Sequence, residues 1–389
     1  MLITEKYQFT WPGKSDSIEL TKSPSNVELE LILNKSVGFN GESGSDTSNN
    51  LYIEGDNLYA LKALLPEYYA KIKLIYIDPP YNTGNNFLYV DDFSSKSIST
   101  KDGGRHTDWL NMIYPRLLLA RELLREDGSI FVSIDFHEVH NLRKIMDEIF
   151  GENNFQREII WRIGWLSGYK TTASNFIRNH DTILFYSKNH KKMFFNKMYI
   201  DNSEFKPVIK RTPSLTSKLF SLGLDRLKQK ELLHFINHIN RPTKYPIEDV
   251  WNGNEYDELN SINIMSFSGE KVSKVLGLNH DFKGQKSIKM IQRIIEAITT
   301  EDDIVLDFFA GTGSTGCAVL QQNILDNSNR RFILVQLPVK YESTEDSPYD
   351  TLCDISEDRI KHFAKSITNK SIDSGFKVYK VVEREENAV

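Results

Sequence analysis

A run over residues 72–77, apolar except for Lys73, ends abruptly at Asp78-Pro79-Pro80-Tyr81, and this feature constrains the fold more than any other. The length and β-branched content of the run predict a strand that is buried in a sheet. Neither proline has a backbone N–H group, and each holds φ at about −65°, so the segment after the strand is stiff and its carbonyls point outward. A carboxylate beside fixed carbonyls and a flat ring suits a planar ligand that bears an NH2 group. An ordinary Pro-Pro turn is the alternative interpretation.

Further strand-like runs alternate with amphipathic helical stretches along the chain. This alternation predicts an α/β fold, in which helices cover a sheet. Strands are predicted at residues 51–53, 129–134, 182–187, 304–309 and 332–337, and helices at residues 110–124, 139–150 and 287–299.

The composition is that of a soluble globular enzyme. The chain has 389 residues, of which 40% are hydrophobic and 26% are charged. No run approaches the roughly 18 apolar residues of a membrane span, and the first residues are not followed by the apolar segment of a signal peptide. We therefore expect a cytoplasmic protein without a membrane segment.

Metal and disulfide chemistry find little support in the sequence. Cys317 and Cys353 are the two cysteines of the chain, and their separation argues against a disulfide framework or a cysteine metal site. Residues 137–140, His-Glu-Val-His, do not have the spacing of the H-E-x-x-H zinc motif. No metal site is predicted.

The charge of the chain is unevenly distributed. The net charge is −5, yet residues 188–244 contain 13 Lys or Arg against 4 Asp or Glu, a local balance of +9. Such a segment is suited to contact the phosphates of a nucleic acid. A solvated surface of helices and loops is the alternative on charge alone.

A glycine-rich turn, residues 310–316, follows one of the predicted strands. Because side chains are absent there, a small molecule can approach the backbone. Gly311, Gly313 and Gly316 also satisfy the G-x-G-x-x-G fingerprint, which keeps a dinucleotide-dependent oxidoreductase as an alternative. That fingerprint expects an acid at the end of the next strand, where this chain has Gln336.

Taken together, these motifs resemble the β-class DNA adenine-N6 methyltransferases, in particular the modification subunits of type III restriction-modification systems. The resemblance extends from about residue 51 to residue 337, and the order of its motifs makes it specific. It rests on Glu54-Gly55-Asp56-Asn57-Leu58, Ile77-Asp78-Pro79-Pro80-Tyr81-Asn82-Thr83-Gly84, Tyr114-Pro115-Arg116-Leu117, Asp127-Gly128-Ser129-Ile130-Phe131-Val132-Ser133-Ile134-Asp135, Gln285-Lys286-Ser287, Phe309-Ala310-Gly311-Thr312-Gly313 and Phe332-Ile333-Leu334-Val335-Gln336-Leu337-Pro338.

The resemblance implies a fold, a cofactor and a set of site residues. The fold is a Rossmann-like, seven-strand-type, mostly parallel sheet with an inserted target-recognition region, and the cofactor is S-adenosyl-L-methionine. Asp78 and the Pro79 carbonyl accept from the target N6, Pro80 completes the catalytic motif, and Tyr81 stacks on the extruded adenine. Lys286 meets the methionine carboxylate. The implied cofactor-binding residues are Asp56, Asn57, Asp78, Lys286, Asp307, Phe308, Ala310, Gly311, Gly313 and Gln336.

Two stretches depart from the usual motifs of that family. Residues 285–287 read Gln-Lys-Ser instead of Gln-Lys-Pro, and residues 134–138 read Ile-Asp-Phe-His-Glu instead of Ile-Asp-Asp-Asn-Glu. Phe136 and His137 therefore inherit no role.

The predicted reaction is methyl transfer from S-adenosyl-L-methionine to N6 of an adenine flipped out of duplex DNA. A cytosine-N4 or RNA methyltransferase is the alternative within the same enzyme class. Related enzymes imply double-stranded DNA as a partner and suggest a homodimer. A restriction subunit is a further candidate partner, and a solitary or type II-like enzyme is the alternative. The predicted segments are an N-terminal appendage and flexible linker (1–50), a catalytic half (51–187), a target-recognition region (188–251), a cofactor-binding half (252–340) and a C-terminal extension (341–389).

Overall fold

The computed structural model describes residues 8–24, 26–84, 104–162, 174–201, 207, 209–239, 243–252, 271–278, 285–340 and 348–384.

The chain divides into two compact units. The first contains residues 1–160, 180–196 and 265–389, and the second contains residues 161–179 and 197–264. Among the described helices, none is both long and apolar enough to cross a membrane.

Strands and helices alternate through most of the described chain. The strands are β1 (Val27–Leu31), β2 (Leu51–Glu54), β3 (Ile72–Ile77), β4 (Leu124–Ile134), β5 (Phe155–Arg162), β6 (His180–Ser187), β7 (Tyr199–Asp201), β8 (Lys244–Pro246), β9 (Val250–Asn252), β10 (Ile304–Asp307), β11 (Arg331–Gln336) and β12 (Lys377–Glu383). The α-helices are α1 (Lys14–Lys22), α2 (Asn57–Tyr68), α3 (Gly104–Leu123), α4 (Val139–Phe150), α5 (Pro213–Ser221), α6 (Arg226–His238), α7 (Val272–Leu276), α8 (Ile288–Ile298), α9 (Ser314–Asp326) and α10 (Leu352–Ala364).

The first unit is built on a sheet with the strand order β1-β12-β2-β11-β10-β3-β4-β6-β5. The pairs from β12 to β4 are parallel, whereas β4 with β6 and β1 with β12 are antiparallel. The stretch from β2 to β5 contains seven strands, so the predicted mostly parallel, seven-strand-type sheet is confirmed. Strands β12 and β1 extend it beyond β2.

Helices cover both faces of this sheet, which explains why the central strands are mostly apolar. All six residues of β3 are buried. Helices α2, α3 and α4 share a hydrophobic core with β2, β3 and β4, whereas α8 and α9 pack on each other and contact β3 and β11. A strand that is buried on two faces has apolar side chains at nearly every position. The exception in β3 is the buried Lys73, whose ammonium pairs with Asp127 at 2.7 Å. The predicted stripe of α8 is confirmed, since Ile288, Ile291, Ile295 and Ile298 are buried.

The N-terminal segment differs from the appendage and flexible linker that the sequence predicts. β1 pairs with β12 at the edge of the main sheet. Asn50 is fully buried, donates to the carbonyl of Gly375 at 2.9 Å and accepts from the backbone N of Phe332 at 2.9 Å. A polar, Gly/Ser/Asn-rich sequence resembles a linker locally, but here residues far along the chain satisfy its polar groups.

The second unit contains the antiparallel pair β7–β8 and the helices α5 and α6. Thr212 and Asp225 cap these helices with their side chains. The Asn237 side chain accepts from and donates to the backbone of Ile209, at 2.8 and 3.2 Å, which ties α6 to the segment before α5. Most of the predicted recognition region falls in this unit, while residues 188–196 belong to the first.

A partly buried lysine joins the N-terminal segment to the C-terminal extension. The Lys35 ammonium lies 2.5 Å from Glu54, 2.8 Å from Asp354 and 3.8 Å from Glu357. The three carboxylates lie close enough together to hold a metal ion, but the lysine supplies the positive charge. Burial lowers the pKa of Lys35, but its hydrogen bonds to Asp354 and Glu54 together with the nearby negative charges raise it by more, so the net shift is upward.

Replacing this lysine with methionine (Lys35→Met) should destabilise the protein in a pH-dependent way. We expect the free energy of unfolding to fall by about 2 kcal/mol, less than the roughly 3–5 kcal/mol for a fully buried pair, because the Lys35 side chain is 31% exposed. Burial raises the pKa of Glu357 to about 8. A carboxyl group whose pKa is higher in the folded than in the unfolded protein destabilises the fold once the pH exceeds its unfolded pKa. This penalty grows until the pH passes the folded pKa. The loss should therefore be largest above a pH of about 8 and smaller in mild acid.

Urea denaturation at alkaline and at mildly acidic pH measures this difference. The exposed pair Lys22–Glu19 provides the control, because Lys22→Met should change the free energy of unfolding little at either pH. An equal loss for the two variants would contradict the interpretation of the Lys35 cluster.

Candidate active site

The candidate site lies where two neighbouring parallel strands end. β3 and β10 pair with Ile75 opposite Leu306. From β3 the sheet continues to β4 on one side, and from β10 it continues to β11 on the other. A point where the strand order reverses in this way opens a crevice beyond the carboxyl ends of the strands. Asp78 directly follows β3 and Asp307 ends β10, so the two predicted motifs meet at this edge.

The four residues of the predicted catalytic motif form one fixed group. The Tyr81 hydroxyl donates to Asp78 Oδ1 at 2.7 Å. Trp109 of α3 donates from its indole Nε1 to the Pro80 carbonyl at 2.7 Å, and Pro79 is buried. Burial raises the pKa of Tyr81 well above its ordinary value, so the phenol keeps its proton and acts as a donor.

Lys286 contacts the same group. Its ammonium lies 2.5 Å from Tyr81 Oη, 3.2 Å from Asp78 Oδ1 and 4.8 Å from the centre of the Tyr81 ring. The resemblance assigns Lys286 to the methionine carboxylate, whereas the structure places its ammonium against the catalytic carboxylate. Burial raises the pKa of Asp78, and Lys286 and the Tyr81 hydroxyl lower it only in part, so the net shift is upward.

Asp181 is a site residue that no sequence motif indicates. It lies near the start of β6, and its Oδ2 is 4.0 Å from Lys286 Nζ. Because β6 runs antiparallel to β4, its first residues lie at the edge where β3 and β4 end. The direction of β6 is the signal that would have found it, and that direction follows from the sheet topology.

The strand end of β10 and the glycine turn are held by buried polar groups. Asp307 accepts from the backbone N of Phe309 at 3.0 Å and from the Thr315 hydroxyl at 2.5 Å. Burial raises the pKa of Asp307 to about 7. Gln336, at the end of β11, accepts from the backbone N of Gly311 at 2.7 Å. The residue that replaces the acid of the dinucleotide fingerprint therefore fixes the turn.

The two leading glycines of the turn serve different purposes. Both have positive φ, +53° at Gly311 and +77° at Gly313. A Cβ at Gly311 would meet nothing closer than 3.9 Å, whereas a Cβ at Gly313 would lie 2.7 Å from the Ser356 hydroxyl of α10. Arg359 of the same helix donates to the Thr312 carbonyl at 3.0 Å. Gly313 thus allows α10 to pack, and Gly311 leaves space beside its backbone for a ligand.

The other predicted cofactor residues connect α2 to the end of β10. Asp56 caps α2 and accepts from Arg116 at 3.1 Å. Asn57 accepts from the same guanidinium and donates to the Phe308 carbonyl at 2.6 Å. The side chains of Phe308 and Ala310 are buried, and Phe308 belongs to the hydrophobic core. Asn57 thus joins α2 to the end of β10, while Asp56 joins α2 to α3 through Arg116.

The chain just after the catalytic motif is held by Glu138. This fully buried carboxylate accepts from Asn82 Nδ2 at 2.5 Å and lies 2.6 Å from His106 Nδ1. Phe136 and His137, which inherit no role from the resemblance, stack on each other with ring centres 4.0 Å apart, and Phe136 is exposed.

A comparison with protein families decides the class of this enzyme. A family model described as DNA methylase, of the N6/N4 type, matches residues 72–341, which is more than half of the chain. The chain belongs to the N6/N4 DNA methylase family. The recognition from sequence motifs is confirmed, and membership of this family decides against the dinucleotide-dependent oxidoreductase.

Relatives of this DNA methylase include subunits of restriction-modification systems. It is 28% identical to the type III EcoP15I Mod subunit of Escherichia coli, over 98% of this chain and 72% of that protein. It is 29% identical to the EcoPI Mod subunit of Escherichia phage P1, again over 98% and 72%. Among solved structures, the M1.HpyAVI–SAM complex covers 80% of this chain and 98% of its own, with 16% identity and a TM-score of 0.43.

The methyl donor of the methylase is S-adenosyl-L-methionine, and the described residues fit it. The open space beside Gly311 admits a ligand to the backbone of the turn. Asn57 and Gln336 fix the two backbone segments on either side of that space, at Phe308 and Gly311. Lys286 carries a positive charge at the same edge, which suits the carboxylate of an amino acid.

Alanine substitutions at the two glycines of the methylase should have different effects. Each replacement at positive φ costs about 1 kcal/mol in backbone strain. Gly311→Ala should add little else to stability but weaken the binding of S-adenosylhomocysteine, because the new methyl group enters the open space. Gly313→Ala should lower the free energy of unfolding further, since its methyl group collides with Ser356.

Calorimetric titration and urea denaturation measure the two effects. Gly223→Ala is the matched control, since Gly223 has a φ of +85° and open space around it. Wild-type affinity of the Gly311→Ala variant for S-adenosylhomocysteine would contradict the assignment of the turn as the cofactor site.

Proposed function

We propose that this methylase transfers the methyl group of S-adenosyl-L-methionine to N6 of an adenine flipped out of double-stranded DNA. The observation that carries this proposal is the position of Asp78 and Tyr81 at the end of β3, directly beside the glycine turn that follows β10. An acceptor for an amino group and a site for the methyl donor thereby share one crevice. Aspartate rather than serine at position 78 favours adenine over cytosine as the target base.

The chemistry of the amino group explains why these side chains are needed. The N6 lone pair is conjugated with the adenine ring, so the amino group is a poor nucleophile. Acceptors that hold its hydrogens, Asp78 and the Pro79 carbonyl, favour the pyramidal geometry in which the lone pair is free. S-adenosyl-L-methionine, when bound, supplies an electrophilic methyl group on a sulfonium sulfur. Asp78 then stabilises the positive charge that develops on nitrogen, and the buried setting strengthens this effect.

Tyr81 supplies a flat surface for the base. The amino group lies inside the duplex, so the nucleotide must leave the stack before it can meet Asp78. An extruded base is commonly held by stacking on an aromatic ring. The hydrogen bond between the Tyr81 hydroxyl and Asp78, at 2.7 Å, links the position of the ring to that of the catalytic carboxylate.

The second unit is the proposed DNA-recognition region. Residues 188–244 carry a local charge of +9, from 13 basic and 4 acidic residues. Lys218 of α5 and Arg226 and Lys230 of α6 are exposed.

Relatives are named as Mod subunits of type III restriction-modification enzymes. We therefore place the enzyme in a restriction-modification system in the cytoplasm, with a restriction subunit and a second copy of the chain as proposed partners.

Digestion of methylated DNA to nucleosides tests the target atom. Unmethylated genomic DNA incubated with the enzyme and S-adenosyl-L-methionine should yield N6-methyladenine. Formation of N4-methylcytosine, or methylation of RNA but not of DNA, would overturn the proposal. Sequencing that detects modified bases then identifies the recognised site.

Asp78→Ala and Tyr81→Ala should separate catalysis from cofactor binding. We expect the methylation rate to fall by at least about 100-fold in Asp78→Ala, as when a group that stabilises transition-state charge is removed. Tyr81→Ala should also reduce it severely because the base loses its stacking partner. Both variants should still bind S-adenosylhomocysteine. Wild-type turnover by Asp78→Ala would show that the catalytic assignment is wrong.

Reversing charges in the second unit should weaken DNA binding at every sequence. The triple variant of Lys218, Arg226 and Lys230 to glutamate should have a lower affinity for duplex DNA and a smaller salt dependence, by about one unit of slope for each phosphate that the protein no longer neutralises. Fluorescence anisotropy over a range of salt concentrations measures both. Reversal of Lys22, Lys365 and Lys370, exposed lysines of the first unit, is the control. Unchanged affinity and slope in the test variant would contradict the assignment of this region.

A further inference from the structure

Three charged side chains share the catalytic pocket. The proposed chemistry at the amino group uses only one of them, Asp78. Lys286 lies between two carboxylates, 3.2 Å from Asp78 and 4.0 Å from Asp181. All three are largely shielded from solvent, since their side chains are 15%, 21% and 15% exposed, respectively. A charge in such a setting is costly unless it is paired. The Lys286 ammonium therefore lies within ion-pair distance of two carboxylates that arrive from different strands.

Hydrogen bonds hold the backbone around Lys286, but they do not determine where its ammonium lies. Its carbonyl accepts from the Ser314 hydroxyl at 3.1 Å, at the start of α9. The next residue, Ser287, caps α8 by accepting from the backbone N of Met290. The lysine stem has four carbons and rotatable bonds, so the surrounding charges determine where the ammonium lies.

The contact with Asp78 competes with the substrate. Oδ1 of Asp78 already accepts from the Tyr81 hydroxyl and lies beside the Lys286 ammonium. An amino group of adenine must take a place on the same carboxylate. If the ammonium contacted Asp78 alone, it would occupy the carboxylate that must accept from the amino group.

We propose that Lys286 is a counter-ion shared by two carboxylates, and that Asp181 is a positioning residue which competes with Asp78 for it and so leaves an oxygen of Asp78 for the amino group of the substrate. This inference rests on the proposed function, because it assigns the incoming amino group to Asp78. It makes Asp181 act through Lys286, without contact between Asp181 and the base.

The charges in the pocket predict the direction in which each substitution shifts the pKa of Asp78. Lys286 lowers the pKa of Asp78, and the negative charge of Asp181 raises it. Asp78 must be ionised to accept from the amino group, so its pKa sets the acid limb of the rate profile. The titratable or charged groups that act on Asp78, or on which Asp78 acts, are Tyr76, Tyr81, Asp181, Lys286 and Asp307.

Single-turnover methylation rates over a range of pH test the proposal, at saturating S-adenosyl-L-methionine. In Asp181→Asn the ammonium commits to Asp78, so the acid limb should move to lower pH while the maximal rate falls several-fold. In Lys286→Met the acid limb should move to higher pH, by about one unit. Asp181→Glu should restore the wild-type profile. The exposed pair Lys22–Glu19, outside the basic segment, provides matched controls, since Lys22→Met and Glu19→Gln should leave the acid limb unchanged.

A binding measurement supplies a readout that does not depend on turnover. The duplex that contains the recognised site is compared with the same duplex in which purine, which lacks the amino group, replaces the target adenine. With S-adenosylhomocysteine bound, the wild type should prefer adenine, and Asp181→Asn should lose most of this preference because Asp78 is held by Lys286.

Two results would overturn the inference: acid limbs that shift in the same direction in Asp181→Asn and Lys286→Met, or an adenine preference that Asp181→Asn leaves intact. If the wild type forms N6-methyladenine but either result is found, only this inference fails. If the wild type forms no N6-methyladenine, the proposed function itself fails.

Discussion

The parallel pairing of β3 with β10 is the interaction on which the rest of the site depends. These strands are separated by more than 200 residues in the chain, yet they are neighbours in the sheet. Both are fully buried, so the pairing is stabilised by the hydrophobic core on both faces. Because parallel strands end at the same edge, the pairing places Asp78 and Asp307 side by side. Neither motif could act on a methyl group and an acceptor base without it.

Helix side chains donate hydrogen bonds to backbone carbonyls at the rim of this sheet, and these bonds hold the rim in place. Trp109 binds the Pro80 carbonyl, Asn57 binds the Phe308 carbonyl, and Arg359 binds the Thr312 carbonyl. Each donor belongs to a helix that packs beside the sheet edge. An unpaired carbonyl in such a setting would cost about 1–3 kcal/mol. The helices therefore hold the backbone of the Asp78 motif and of the glycine turn in place.

Charge in the pocket is arranged as a balance rather than as a single pair. Burial raises the pKa of Asp78, and Lys286 opposes that effect. A second carboxylate, Asp181, lies within reach of the same ammonium. Burial also raises the pKa of the neighbouring Asp307 to about 7, although two hydrogen bonds stabilise its ionised form. A family resemblance identifies the lysine and the catalytic aspartate separately, but the interaction between them follows only from their distance.

The sequence by itself determined the α/β class, the mostly parallel sheet, the family and the positions of the catalytic motif and the glycine turn. These follow from local signals, since a strand buried on two faces is mostly apolar and a motif keeps its spacing. Only the tertiary structure decided that β1 joins the sheet and that Asp181 enters the pocket. It also decided that Lys286 contacts Asp78, that Asn57 binds a helix to a strand end, and that Asp56 binds Arg116. Each of these contacts joins residues far apart in the chain, and strand order and register decide which of them meet.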